Sequence, residues 1–296
     1  MPLQVSAIIP TLNGATTLPA LLAALARAGA KLPLEIVAID SGSRDGTPGL
    51  LSGAGATVLD LGGRRFSHAG ARNRAASHAT GDVLLYLTQD VEPVGDDWLE
   101  ALLAELEPAD VAGAFGRQLP RGASPEEAFL VAANYGSQRR VLDRATLDAP
   151  FGPGATLFSH AFGAAKRAVW QAHPIPEIVM SEDQAWARAV LSAGLRIVYQ
   201  PAAAVYHGHR LSFGRAFRRN FDSGSSLQAL GMTGGLWGAG LAHLAGELRA
   251  IAASHGGLRA AQALAYESVR MVGFQLGRME RLMPKALARV LGEAPR

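Results

Sequence analysis

The chain has 296 residues, 49% of them hydrophobic and 18% charged, with a formal net charge of +3. That balance excludes a disordered chain, and the mild basic excess falls far short of a nucleic-acid binder. The absence of cysteine excludes disulfides and Cys-based zinc sites and fits a reducing compartment.

Residues 5–10, VSAIIP, are an apolar run stopped by Pro10 and the polar loop Thr11-Leu12-Asn13-Gly14, which predicts a first strand. No basic stretch and apolar signal segment precede it, so a cytoplasmic location is expected. Leu18, Leu21, Leu22 and Leu25 recur at i, i+3, i+4 and i+7, the stripe of an amphipathic helix that Gly29 closes. Residues 35–40 predict a second strand ending on Asp40, residues 41–47 a polar turn, residues 48–53 a helix and residues 57–61 a third strand. This β-α-β-α-β order argues for a parallel sheet. After a helix reaching about Ala79, residues 83–87 form an apolar run too short for a helix, hence a strand buried on both faces. It ends in Thr88-Gln89-Asp90, which sets Asp90 where open α/β sheets place their ligands. Capping of the next helix is the plainer role for the same carboxylate.

Trp98, Leu99, Leu102, Leu103 and Leu106 mark a further helix, and residues 110–119 a strand. From residue 121 to 159 the pattern weakens into mixed helix and loop. Ser181-Glu182-Asp183 opens a helix with Trp186, Ala189, Val190 and Ala193 on one face. Residues 197–199 and 203–206 predict two short strands, followed by His207-Gly208-His209. The tail is helical, with one stripe from Trp237 through Leu244 to Ile251 and another from Leu258 through Val272 to Leu276. Residues 223–246 hold no Asp, Glu, Lys or Arg and could span a bilayer. They are rich in Gly and include Ser225, Ser226, Gln228, Thr233 and His243, so a loop and then a packed helix is the expectation. No repeat or linker forces a second independent domain.

A Gly-rich dinucleotide fingerprint, a P-loop and a GxSxG elbow are all absent, which weighs against Rossmann oxidoreductases, P-loop NTPases and α/β hydrolases. What recurs is acids at element ends. Asp40 is placed to accept hydrogen bonds from a pyrimidine or ribose, or else to cap its turn with Ser41 and Ser43. Asp90 suits a hard cation that bridges phosphate oxygens. Glu182 and Asp183 are the candidate base for activating a sugar hydroxyl, or acids that favour a helix N-terminus. His207 and His209 could ligate a metal, contact a diphosphate, or be ordinary surface residues. Arg215, Arg218 and Arg219, interleaved with Phe213, Phe217 and Phe221, suit a phosphate or an amphipathic helix with its Phe side chains in the core.

Ile8-Ile9-Pro10-Thr11-Leu12-Asn13-Gly14, Asp40 to Thr47, Arg72-Asn73, Thr88-Gln89-Asp90 and Glu182-Asp183 stand in the order that resembles family 2 glycosyltransferases. Phe66-Ser67-His68, Leu87-Thr88-Gln89-Asp90, Phe115-Gly116-Arg117-Gln118-Leu119-Pro120 and Arg270 to Arg278 resemble its bacterial rhamnosyltransferase branch. The resemblance implies a GT-A fold: an α/β architecture with a mostly parallel sheet flanked by helices, and a helical C-terminal tail. Residues 1–222 would be the catalytic domain, with a nucleotide-binding part over about 1–120 and an acceptor-binding part over about 121–222. Residues 223–296 would be the helical extension. It also implies inversion at the anomeric carbon by direct displacement. Pro10, Thr11, Asn13, Asp40, Ser43, Arg72, Asn73, Gln89 and Arg215 would contact the nucleotide-sugar, and Asp90, His207 and His209 would hold a divalent metal, Mg or Mn. Asp183 would be the base, with Glu182 beside it.

One departure is that Thr88 stands where the family usually has the first Asp of Asp-x-Asp, leaving fewer carboxylates for the ion. The expected donor is dTDP-L-rhamnose and the acceptor a growing polysaccharide or lipid-linked oligosaccharide. A mannosyl or glucosyl donor and a non-catalytic nucleotide-sugar-binding protein are the alternatives. Peripheral contact with the inner face of the membrane and a homo-oligomer stay open.

Overall fold

The computed structural model describes residues 3–148, 156–208, 210–232 and 236–293. The first half alternates strand and helix: β1 (Val5–Thr11), α1 (Leu18–Gly29), β2 (Leu34–Asp40), α2 (Thr47–Gly53), β3 (Thr57–Asp60), α3 (His68–His78) and β4 (Val83–Leu87). Then come β5 (Glu92–Pro93), α4 (Trp98–Ala104), β6 (Val111–Leu119), α5 (Pro125–Asn134) and β7 (Arg140–Leu142). The chain continues through β8 (Phe162–Lys166), α6 (Arg167–Ala172), α7 (Glu182–Ser192) and β9 (Arg196–Tyr206). The tail is α8 (Phe213–Ala229), α9 (Leu236–His255), α10 (Gly257–Arg278) and α11 (Lys285–Leu291).

One sheet runs in the order β3-β2-β1-β4-β8-β6-β9-β5, with β7 paired to β9. β1 pairs in parallel with β2 and β4, and β2 with β3, as the sequence pattern predicts. The unbroken apolar runs of these strands follow from burial on both faces. One face packs Leu18, Leu21 and Leu25 of α1 and Leu99 of α4 against Ile9 and Leu85. The other packs Ala71 and Ala75 of α3 and Trp186 of α7 against Ile8, Tyr86 and Phe115.

Two strands differ from the expectation. Residues 162–166 carry no strand signal, because FGAAK is small and low in β propensity. They nevertheless form β8, antiparallel at the centre of the sheet between β4 and β6. Small size is the requirement there: a Cβ on Gly163 would lie 2.9 Å from the Phe158 ring and 2.6 Å from the Ser159 carbonyl. The two short strands expected over residues 197–206 are one strand, β9, whose register against β6 slips between Gly116 and Arg117. Pro201 lies in that slip, where a missing N–H costs no ladder bond.

The topology gathers the strand ends. β4 and β6 are both antiparallel to β8, so they run the same way, and β9 follows β6. The C-terminal ends of β1, β2, β4, β6 and β9 therefore share one edge of the sheet, and β8 enters from it. Thr11, Asp40, Asp90, Gln118, His160 and His207 all belong to that edge.

Residues 223–229, expected as a loop, continue α8, with Phe221, Gly224 and Leu227 on its buried side. One helix thus runs across residues 222 and 223, where the sequence reading divides the chain. Among the described residues no helix is long and apolar enough to cross a membrane. α8 and α10 cross at backbone contact. Cβ atoms on Gly224, Gly273 and Gly277 would strike Phe274 O, Phe217 O and Phe221 O respectively. Gly277→Ala is expected to lower stability by about 1–3 kcal/mol through overpacking, read as a fall in Tm. An unchanged Tm would show that the helices can part freely.

Candidate active site at the C-terminal edge of the sheet

The loop after β1 is zipped to the turn after β2. Thr11 pairs with Asp40 across the strands, and its hydroxyl donates to Asp40 Oδ2 at 3.0 Å. Asp40 also accepts from Gly42 N, Ser43 N and Ser43 Oγ at 3.0, 2.8 and 2.6 Å, which closes an Asx turn. Asn13, at φ 49°, donates its N–H to Ser43 Oγ at 2.7 Å, and its side-chain oxygen accepts from Arg44 N at 2.9 Å. Pro10 lies at the register partner Ile39, one step inside this zip. Gln89 ties the end of β4 to the same loop through a two-bond amide pair with Leu12, at 2.9 and 3.0 Å. Asp40, Ser43, Asn13 and Gln89 thus build a rigid rim.

Asp90 and His207 meet across the sheet edge, with Asp90 Oδ1 3.7 Å from His207 Nε2. A residue absent from the expected site organises this pair. Gln118, buried near the end of β6, gives its amide nitrogen to Tyr135 OH at 2.8 Å and Ser159 Oγ at 3.0 Å. Its oxygen is then left facing His207 Nδ1 at 2.8 Å, which orients the ring with Nε2 toward Asp90. A polar pair, Arg117 and Gln118, closing a strand that is apolar up to Gly116 was the signal available in the sequence. His209 lies outside the described residues. Among the described residues no cluster of three or more His, Asp or Glu suited to a metal occurs.

The second acid group sits at the head of α7. Ser181, in the left-handed region at φ 64°, turns the chain into the helix. Glu182 is buried and accepts from Arg72 Nη1 of α3 at 2.7 Å; these side chains are only 9% and 5% exposed. Arg72 is therefore the counter-charge of Glu182. Asn73 braces the approach to α7: its Nδ2 donates to Ile175 O, and its Oδ1 accepts from Trp170 Nε1 and Ile175 N. Arg215, on α8, is exposed and pairs with Glu293 at 3.1 Å. His160, fully buried against Tyr86, Phe158 and Trp186, finds no hydrogen-bond partner for either ring nitrogen among the described residues, and burial holds its pKa well below the usual value.

Asp183 is half-buried beside Glu182, its Oδ1 accepting from Gln184 N at 2.8 Å. Burial, reinforced by the charge of Glu182 and opposed by Arg72, pushes its carboxyl up to about 7. Such a group exchanges a proton near neutral pH. If Asp183 must be ionised to act, kcat rises with pH through about 7 and levels off above it. A flat profile between pH 5 and about 9 would exclude that role.

The strand ends thus carry a rigid rim where β1 and β2 finish and a carboxylate–imidazole pair where Asp90 meets His207, and the head of α7 adds an acid that exchanges a proton near neutral pH. The description "Glycosyl transferase family 2" matches residues 6–170. The chain is 30% identical over 227 residues to O-antigen chain rhamnosyltransferase RfbN of Salmonella typhimurium, covering 75% of this chain and 72% of that protein. It is 31% identical over 196 residues to O-antigen chain rhamnosyltransferase WbaN of Salmonella anatum, covering 65% and 62%. Among solved structures it is similar to mannosyltransferase PcManGT from Pyrobaculum calidifontis in complex with GDP-Man and Mn2+. The TM-score there is 0.62 at 21% identity, over 96% of this chain and 88% of that one. TarS of S. aureus in complex with UDP-GlcNAc gives a TM-score of 0.54 at 14% identity, over 94% and 92%. Those two likenesses concern the fold. The chain belongs to glycosyl transferase family 2, and it is a glycosyltransferase.

Proposed function

We propose that the chain is an inverting rhamnosyltransferase. It takes L-rhamnose from dTDP-L-rhamnose and places it on a saccharide acceptor of a growing cell-surface polysaccharide, lipid-linked and presented at the inner face of the membrane. The observation that carries the choice of sugar is the similarity to RfbN over three quarters of the chain.

In this reading the Thr11–Asp40 rim receives the nucleotide, and Arg215 lies on the approach to the diphosphate. Asp183 takes the proton of the acceptor hydroxyl; that oxygen forms the new bond to the anomeric carbon as the bond to the diphosphate oxygen breaks. Direct displacement of this kind inverts the anomeric centre. A hydroxyl is a poor nucleophile, so a carboxylate with a proton affinity near the working pH suits the step.

The donor set fits a divalent cation. Asp90 offers a carboxylate oxygen and His207 an imidazole nitrogen oriented by Gln118, while the hydroxyl of Thr88 is buried without a hydrogen-bond partner among the described residues. Asp90 and His207 would hold Mg or Mn together with the donor's own phosphate oxygens, and the ion would supply positive charge against the departing diphosphate.

The deciding experiment is thermal denaturation of the full chain with dTDP-L-rhamnose, GDP-mannose or UDP-glucose, with and without Mn2+, followed by transfer assays on lipid-linked acceptor. Selective stabilisation and turnover with dTDP-L-rhamnose are expected. Selectivity for GDP-mannose or UDP-glucose would replace the sugar assignment. Binding without turnover on any acceptor would support a non-catalytic role.

A further inference from the structure

The last long helix is inside out. α10 carries four charged residues, Arg259, Glu267, Arg270 and Arg278, and all four point toward the body of the protein. Arg259 pairs with Glu126 of α5 at 2.5 Å, Glu267 with Arg270 at 2.7 Å, and Arg278 donates to Gln228 of α8 at 3.2 Å. The face turned away from the body is apolar. Leu258 is 79% exposed, Leu264 46% and Val272 52%, with Ala265 exposed among them, and Met279 (51%) and Leu282 (81%) extend the stripe into the 3-10 turn that follows the helix. Within α10 no Asp, Glu, Lys or Arg interrupts this stripe; Glu280 and Arg281 follow in the turn between Met279 and Leu282. An ordinary surface helix has the opposite arrangement, and a contiguous exposed apolar patch marks an interaction site.

The spacing says what kind of partner fits. Leu258, Ala265, Val272 and Met279 follow one another at heptad spacing, with Ala261, Ser268, Gln275 and Leu282 at the alternate seam positions. That is the repeat of a helix that packs along another helix. The order of sizes is also self-complementary. In an antiparallel pair centred near Ser268, Leu258 of one copy meets Met279 of the other, and Ala265 meets Val272. Large thus faces large at the ends and small faces large near the axis. An isologous contact needs this property, since each surface must match itself. The seam runs on the order of 30 Å along the helix. A lipid surface fits less well, because helices lying in a membrane interface carry aromatic anchors and flanking cations along their length. Arg281 and Lys285 stand only beyond the C-terminal end of α10.

From the inverted charge pattern and the self-complementary seam we infer that the outer face of α10 is the dimer interface of this protein, its occupant being α10 of a second copy running antiparallel. The inference is independent of which sugar the enzyme transfers.

The full chain is expected to sediment as a dimer at micromolar concentration. Val272→Glu, an exposed position whose substitution spares the fold, should give a monomer with unchanged Tm. Because the chain has no cysteine, Ser268→Cys supplies a single thiol near the twofold axis. It should yield a disulfide-linked dimer on mild oxidation, whereas Val141→Cys, exposed on β7, should not. A chain that stays monomeric at tens of micromolar overturns the proposal, as does a dimer that survives Val272→Glu. A monomer that pellets with anionic vesicles, and loses that binding in Val272→Glu, assigns the stripe to a lipid surface instead.

Discussion

Asp183→Asn is expected to lower kcat by roughly 10²–10⁴-fold while leaving donor-induced stabilisation intact. The amide keeps the size of the carboxylate and can still meet Gln184, but it cannot take a proton from the acceptor. Glu182→Gln is the informative contrast. Glu182 bonds to Arg72 rather than standing as a second base, and its charge helps to hold the Asp183 carboxyl near 7. Removing that charge lets Asp183 ionise more easily, so the acid limb of kcat should move to lower pH. Arg72 and His68 of α3 and Tyr135 after α5 are the other groups whose charge or hydroxyl bears on this pair. If Asp183→Asn transfers sugar at the parent rate, the base assignment is lost. If that variant is inactive but Glu182→Gln leaves the pH profile in place, the base stands and the role of Glu182 falls.

The second large effect is on folding. Arg72→Met would leave the Glu182 carboxylate buried without its counter-charge, and breaking a buried pair in this way costs on the order of 3–5 kcal/mol. The pair joins α3 to the head of α7 across 110 positions of chain, with both side chains less than a tenth exposed. The double variant Arg72→Met with Glu182→Met removes both charges and should cost clearly less than the sum of the two single changes. Chemical denaturation of all three variants gives the coupling directly. Additive costs would show that the two groups do not depend on each other.

Much of this was legible in the residues because the first half of the chain obeys local rules. The apolar runs of β1, β2 and β4 are long enough to be strands and too short to be helices. Each ends on a polar residue that marks the ligand edge. β8 was not legible, since Phe162-Gly163-Ala164-Ala165-Lys166 has neither alternation nor β-branched residues. Its place is set by what packs against it, the ring of Phe158 and the carbonyl of Ser159, and that is a tertiary fact. The pairing of Arg72 with Glu182 was hidden for the same reason. Sequence showed two polar motifs, and only folding shows that a guanidinium from one neutralises a carboxylate from the other. Gln118 was visible, with Arg117, as a polar end to an apolar strand, but its task depends on three partners contributed by distant segments: Tyr135, Ser159 and His207. The continuation of α8 past residue 222 was masked by glycine and serine, which favour loops locally and here permit close helix contact.

The glycine crossing of α8 and α10 reaches further than packing. Ser226, on α8 beside Gly224, accepts a hydrogen bond from Met180 N at 3.1 Å, and Met180 leads through the left-handed Ser181 directly to Glu182 and Asp183. The family match ends at residue 170, yet the acid proposed as base hangs from a segment that the tail holds in place. Natural selection acting on sugar transfer therefore bears on Gly273 and Gly277, residues that need never meet a sugar. A change in the inner seam of the tail would be transmitted through α8 as a displacement of the proposed proton acceptor.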